Sequence, residues 1–156
     1  MSNIHTGLAG EFYVLAQLNL RPGLTAALTL GNSKGIDIIV SNENSGRKYL
    51  VEVKTSLRKP SRASVFGGIL SYTWQLNVKN ETLVEKALIY CFVWIEHPAK
   101  MPKFFLVPSI KVAAYTNWAN QVWRSRPKLL KDNGMRVFRI EAEKASKYEN
   151  NWELFK

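Results

Sequence analysis

The sequence contains little cysteine, histidine or aspartate, and it has no long hydrophobic run. Cys91 is the only cysteine among 156 residues, which excludes an internal disulfide framework and indicates a reducing, cytoplasmic setting. His5 and His97 are the only histidines and lie far apart, so they do not form a zinc motif. No window holds the roughly 18 consecutive apolar residues of a membrane-spanning helix, and the N-terminus lacks the pattern of a signal peptide. We therefore expect no membrane partner.

Acidic residues are scarce relative to basic ones. Lys and Arg number 22 and Asp and Glu only 12, which gives a formal net charge of +10. Such an excess favours a polyanionic partner, most often nucleic acid, less often an anionic membrane surface; a merely soluble basic domain is the plain alternative. Hydrophobic residues make up 46%, enough for a real core, so disorder is excluded and the length fits a single domain over residues 1–156.

Hydrophobic periodicity predicts a mixed α/β fold. Apolar residues recur every three or four positions from Ile4 to Leu18, which is typical of a helix. The remaining segments are predicted as strands at 24–30, 36–40, 49–54, 88–95, 103–107 and 135–140, helices at 80–86 and 108–123, and an amphipathic piece at 146–155. Residues 42–46 are typical of a hairpin loop, and the segment 55–79 is less regular. This order predicts a helix followed by a mixed central sheet with helices on its faces.

A group of charged residues stands out in the predicted strands. Asp37 lies in the apolar run 36–40, where an ionised carboxylate is costly unless it is paired or binds a metal. Glu52 and Lys54 are two residues apart on the next strand, so both lie on one face of the sheet. If the two strands form a hairpin, Asp37 and Glu52 come close together, and a divalent cation with a preference for oxygen ligands, Mg²⁺ or Mn²⁺, would remove their repulsion. Lys54 could then orient a water or stabilise a phosphate, and Glu11 on the first helix is a candidate third carboxylate.

Each of these residues also has a plainer interpretation. Glu-x-Lys on a strand is most often a solvated face with a cross-strand ion pair, and Asp37 alone fits a hydrogen-bonded residue at a strand end. The combination is harder to explain in this way: an Asp after Gly35-Ile36, a hairpin, then Val-Glu-Val-Lys, with a helical Glu upstream.

Gly35-Ile36-Asp37, Glu52-Val53-Lys54 and the helical Glu11 resemble the motifs of the PD-(D/E)xK nuclease superfamily. The resemblance covers about residues 6 to 56 and is weaker over 88–107. The superfamily's Pro before the Asp is replaced by Ile36, a departure that many members share.

The resemblance implies a fold, a cofactor and a role for each motif residue. It implies a restriction-endonuclease-like core in which Asp37 and Glu52 bind Mg²⁺ (or Mn²⁺) with the backbone carbonyl of Val53 as a further ligand. It implies that Lys54 assists the attacking water and that Glu11 supports a second metal or a water.

Candidate nucleic-acid contacts follow the motif along the chain. Three basic residues lie on the loop that leaves the proposed site, Arg58, Lys59 and Arg62, and phosphate contact and a solvated basic loop are comparable interpretations for each. Some branches of the superfamily place a Gln after the Lys, which makes Gln75 a further candidate, although an ordinary surface Gln is the commoner case. Tyr72 and Trp74 could stack on an unpaired base, but core packing is the commoner fate of a Trp.

The sequence therefore predicts a metal-dependent hydrolase of DNA phosphodiester bonds and favours an endonuclease. DNA is the expected partner, RNA stays open as a substrate, and a homodimer is expected because cutting both strands of a duplex calls for two active sites. One alternative is a catalytically silent nuclease-fold protein that binds DNA or a partner. Another is a small interaction domain with an accidental Glu-x-Lys, in which Asp37 and Glu52 would lie far apart.

Overall fold

A computed structural model of the chain describes residues 3–29, 35–126 and 131–156. The described part is built from two long helices, eight strands and short 3₁₀ turns. The helices are α1 (Asn3–Asn19) and α2 (Ser109–Arg124); the strands are β1 (Leu24–Leu28), β2 (Ile38–Asn42), β3 (Lys48–Ser56), β4 (Ser61–Arg62), β5 (Leu70–Asn77), β6 (Leu88–Trp94), β7 (Lys103–Pro108) and β8 (Met135–Glu141). The 3₁₀ turns are Ser64–Phe66, Val78–Glu81, Ala142–Lys147 and Trp152–Phe155.

The central sheet is mixed, as predicted. Its strand order is β1-β2-β3-β6-β7, with β3 and β6 parallel and the other pairs antiparallel. Every residue of β6 is buried, which confirms that its continuous apolar run is covered on both faces of the sheet. The fold is thus a mixed α/β fold with helices packed on a mixed sheet, in agreement with the sequence.

Helix α1 covers one face of the central sheet. Val14 and Leu18 of α1 are fully buried in the same cluster as Val51 and Val53 of β3. The C-terminal turn Trp152–Phe155 packs into this cluster as well. Since successive side chains of a strand point to opposite faces, Glu52 and Lys54 lie on the face of β3 away from α1.

The opposite face is covered by a second sheet of order β4-β5-β8 and by α2. Trp74 of β5, Phe92 of β6 and Phe138 of β8 meet there, and the rings of Phe92 and Phe138 stack with centroids 4.4 Å apart. Tyr72 and Trp74 are buried in this cluster, so core packing is their role.

Several sequence predictions are wrong in this region. The segment 55–79 contains β4, a 3₁₀ turn and β5, because alternate residues of β5 bury against the central sheet. The helix predicted over 80–86 is only the turn Val78–Glu81, capped by Asn77. The amphipathic piece predicted at 146–155 consists of short 3₁₀ turns that bury Trp152 and Phe155 and expose other residues. The strand predicted at 36–40 begins at Ile38, and residue 30 of the first predicted strand lies outside the described residues.

No helix in the described ranges is long and apolar enough to cross a membrane.

Candidate active site

Asp37 lies where the β2–β3 ladder ends. Ile38 is the first residue of β2 and pairs with Val51, and the Asp37 amide donates to the Val51 carbonyl at 2.8 Å. The Asp37 side chain then continues the ladder in place of backbone, since its Oδ2 accepts a hydrogen bond from the Val53 amide at 2.6 Å. Asp37 therefore stands at the start of the strand rather than inside it, and the backbone of β3 fixes its orientation.

Glu52 is a fully buried carboxylate in the middle of β3. Its Oε1 lies 2.7 Å from Lys54 Nζ, an ion pair, yet neither Glu52 oxygen meets a donor in hydrogen-bonding geometry. Tyr90 lies opposite on β6, and its hydroxyl accepts a hydrogen bond from Asn80 Nδ2 at 2.8 Å. Burial raises the pKa of the Tyr90 hydroxyl, and the nearby Glu52 charge raises it further, so Tyr90 stays protonated beside the carboxylate.

Gly35 closes the other side of Glu52. Its φ of 75° lies in the left-handed region, and a Cβ there would be 3.1 Å from Glu52 Oε2. Glycine is needed at this position both for the backbone angle and for the close approach.

Glu11 enters from α1. The helix passes so close to β3 that a Cβ on Gly10 would overlap Thr55 Oγ1. Burial raises the pKa of the half-buried Glu11 carboxyl, the charge of Asp37 raises it further, and Lys54 lowers it. Glu11, Asp37 and Lys54 are thus near enough to interact electrostatically across the α1–β3 contact.

The charges around Asp37 oppose one another. Burial raises the pKa of the Asp37 carboxyl and the Glu52 charge adds to this rise, whereas the Val53 hydrogen bond, Lys54 and Lys79 lower it. All four predicted residues, Glu11, Asp37, Glu52 and Lys54, therefore surround one region at the end of the β2–β3 ladder.

Lys79 is a residue of this region that the sequence analysis missed. It lies on the 3₁₀ turn after β5, and its Nζ is 3.0 Å from the point that a Gly35 Cβ would occupy. The same point is 3.1 Å from Glu52 Oε2, so a second lysine lies near the carboxylates besides Lys54. The only local signal was a basic residue after an Asn that caps a turn.

The donor atoms of this region fit a divalent cation with oxygen ligands. Side chains alone do not suffice, because the described residues contain no group of three or more His, Cys, Asp or Glu that could hold a metal. The Val53 amide points to Asp37, and the carbonyl of a strand residue points to the same side as its own amide, so the Val53 carbonyl faces that side too. The ligands available to a cation are therefore the carboxylates of Asp37 and Glu52 and the backbone carbonyl of Val53. The Glu52 carboxylate has no directed hydrogen-bond donor of its own.

The predicted nucleic-acid residues are only partly brought together. Arg58 and Gln75 line one groove of about 310 Å³ beside the end of β3. Lys59 is exposed between β3 and β4, and Arg62 on β4 donates to the Gly68 carbonyl at 2.8 Å.

Comparison with known proteins identifies a similar fold. No family model matches the chain, and no curated protein matches it either. Among solved structures the chain is similar to the bacterial homing endonuclease I-Ssp6803I, with a TM-score of 0.61 over 99% of this chain and 93% of that chain. The two sequences are 14% identical, so the similarity is one of fold: this chain shares the mixed α/β fold of that structure.

Proposed function

We propose that this chain is a metal-dependent endonuclease that hydrolyses DNA phosphodiester bonds. The observation that carries the proposal is Glu52, a fully buried carboxylate without a directed donor, placed beside Asp37 and Lys54 where two strands separate. Burying a carboxylate costs several kcal/mol, and the ion pair of Oε1 with Lys54 supplies no directed hydrogen bond, so such a residue is expected where a cation binds. The fold shared with a homing endonuclease and the net charge of +10 support a nucleic-acid substrate.

In this proposal Asp37, Glu52 and the Val53 carbonyl hold Mg²⁺ or Mn²⁺, and Glu11 supports a second ion or a water. The bound ion would neutralise phosphate charge and acidify the attacking water. Lys54 orients that water and stabilises the charge that develops on the phosphate. Arg58 and Lys59 hold the DNA backbone, Arg62 contributes from β4, and Gln75 contacts the duplex beside them. We propose on the same grounds that the chain is a member of the PD-(D/E)xK superfamily.

The test is cleavage of supercoiled, linear and branched DNA, and of RNA of matching sequence, with Mg²⁺, Mn²⁺ or EDTA. We expect cleavage that EDTA abolishes and that Asp37→Ala, Glu52→Gln and Lys54→Ala each lower by at least about 100-fold. Glu153→Gln, an exposed carboxylate in the C-terminal turn, is the matched control and should cleave normally. Inactivity on every substrate with both ions would refute the proposal.

A homodimer, which would cut both strands, predicts double-strand breaks and a dimer mass in sedimentation.

A second candidate is a catalytically silent nuclease-fold protein. It is favoured by the Lys54–Glu52 ion pair, in which a lysine already compensates the carboxylate. Calorimetric titration with Mg²⁺ and Mn²⁺ separates the two candidates, because the silent protein predicts no binding at millimolar concentrations, whereas the nuclease predicts binding that Asp37→Ala removes.

A further inference from the structure

The second sheet has a face that the two hydrophobic clusters do not use. Tyr72, Trp74 and Leu76 of β5 point inward and are buried. The alternate residues therefore point outward. We name this side of β5 and β8 the outer face; its central pairs are Thr73 opposite Arg139 and Gln75 opposite Val137.

Two adjoining hollows make the outer face a continuous groove. They measure about 310 and 170 Å³, and they share Arg58, Thr73 and Val137 in their walls. None of the described residues that line either hollow is acidic, whereas Arg58 and Arg139 bring positive charge. The groove thus offers hydrogen-bonding groups in a positive field, which suits a polyanion.

The groove adjoins two chain segments that carry residues of the candidate active site. Thr55, one residue after Lys54, lines one end of it. Strand β5 runs along its floor and continues directly into the 3₁₀ turn that carries Lys79. A polymer that lies in the groove would therefore have its backbone carried to Asp37 and Glu52.

The guanidinium of Arg139 is positioned so that it can bind a ligand in the groove. Its guanidinium lies 4.0 Å from the centroid of the Phe66 ring, and it forms no salt bridge with any described carboxylate. Its buried Nε has no hydrogen-bond partner, Nη1 donates to the Val137 carbonyl at 3.4 Å, and the guanidinium also contacts the Tyr115 hydroxyl. Arg136, three residues earlier, is by contrast buried between Glu81 and Asp132. A stacked guanidinium without a carboxylate partner keeps donors for a ligand.

We propose that the outer face enters the major groove of duplex DNA and sets the sequence preference of the enzyme. The inference rests on the function proposed above. A two-stranded ribbon fits the B-form major groove, which is about 12 Å wide. From Tyr72 to Asn77, β5 pairs only with β8 among the described strands, so the ribbon is two strands wide there. Outward residues on one strand are spaced by about 6.8 Å, which matches two base-pair steps.

The side chains on this face belong to the types that distinguish base pairs. Gln75 has the paired donor and acceptor that match adenine, and Arg139 has the fork that matches guanine. Thr73 can hydrogen-bond either purine or contact a thymine methyl group. Arg58, exposed at the rim, would contact phosphate and add affinity without specificity.

The experiment is selection from a random duplex DNA library with Ca²⁺ in place of Mg²⁺, followed by sequencing of the bound fraction. The wild-type chain should enrich a motif. Gln75→Ala should lose preference at one or two adjacent positions by roughly 5- to 150-fold, and Arg139→Lys should do so at a neighbouring guanine while retaining total affinity. Gln121→Ala, an exposed Gln on α2, is the matched control and should enrich the wild-type motif. Circular dichroism on each variant confirms folding.

Two outcomes would overturn the inference. One is that the wild-type chain enriches no motif, or that both outer-face variants enrich the unchanged motif. The other is that duplex RNA of the selected sequence competes as well as DNA, because side chains cannot enter the deep, narrow major groove of RNA. The readout is binding, so a chain that enriches the motif but never cleaves would refute the proposed nuclease activity and leave this inference standing.

Discussion

At the residue scale, the candidate site depends on one short break in backbone pairing. The Asp37 carboxylate takes the hydrogen bond of the Val53 amide that a longer β2 would have taken. The break thus orients one carboxylate and ends the β2–β3 pairing beside Val53. Because Asp37 is already held in place, its side chain loses no further conformational entropy when a ligand binds, which is the physical advantage of preorganisation.

Local sequence spacing explains which site residues could be predicted. Glu52 and Lys54 lie on one strand, where the two-residue period places them on the same face. Asp37 lies at the start of the preceding strand, and the short loop between the two strands brings it close to them. Lys79 could not be found in this way, because it reaches the site only through the packing of the turn after β5 beside Gly35.

Lys79 provides a prediction at this scale. Replacing Lys79 with Ala removes a cation that faces both Asp37 and Glu52, so we expect single-turnover DNA cleavage to fall by at least about 10-fold. Lys79→Arg keeps the charge and should recover part of the rate. Lys86→Ala, an exposed lysine on the same connection, is the control. Wild-type kinetics in Lys79→Ala over a range of Mg²⁺ concentrations would rule out a role for this lysine.

At the element scale, strand β5 shows why the second sheet escaped prediction. Its residues alternate between buried Tyr72, Trp74 and Leu76 and outward polar side chains, but the strand follows the Gly67-Gly68 pair and a stretch of Ser and Arg. Its partner β8 lies more than fifty residues away along the chain, so the pairing has no local signal. The elements α1, α2, β3 and β6 were predicted because each extends over seven residues or more with a clear apolar pattern, which in β6 is a continuous run.

The contact between α1 and β3 gives the second prediction. A methyl group at Gly10 would overlap Thr55 Oγ1, so Gly10→Ala should push α1 away from β3 and lower the free energy of unfolding by about 1–3 kcal/mol. Gly7→Ala lies three residues earlier on the same helix with nothing within 4 Å, so it should raise stability by up to about 1 kcal/mol through helix propensity. Urea unfolding of the two variants measures the difference. If both variants were more stable than the wild type, helix propensity rather than the close approach would govern α1.

At the scale of the whole molecule, the charge imbalance has a spatial arrangement. The chain has only 12 acidic residues, and three of them, Glu11, Asp37 and Glu52, surround the candidate site. Glu81 and Asp132 are occupied with Arg136. The described residues that line the groove on the outer face include no acidic residue. The positive charge there, part of the net charge of +10, is therefore not offset where the proposed substrate would lie. Composition predicted the excess, but only the fold shows its location.

Ion pairs join Arg124, Arg136, Glu81 and Asp132 into a cluster that predicts how the molecule responds to acid. Hydrogen bonds from Arg136, from the Gly134 amide and from Arg124 hold the pKa of the Asp132 carboxyl well below its usual range. A carboxyl whose pKa is lower in the folded than in the unfolded state stabilises the fold fully above the unfolded value of ~3.9. This contribution is lost as pH falls through the folded-state value. We therefore expect the wild-type chain to lose stability below about pH 4.

Asp132→Asn should lower the unfolding temperature at pH 7 and flatten its decline between about pH 4 and pH 2, because the substituted group no longer titrates. Glu153→Gln is the control: Glu153 pairs with Lys156 across an exposed turn, so its removal should leave the profile nearly unchanged. Thermal unfolding followed by circular dichroism across this pH range distinguishes the two. If Asp132→Asn declined as steeply as the wild type, acid sensitivity would come from the rising net positive charge of the whole molecule instead of from the cluster that holds Arg136.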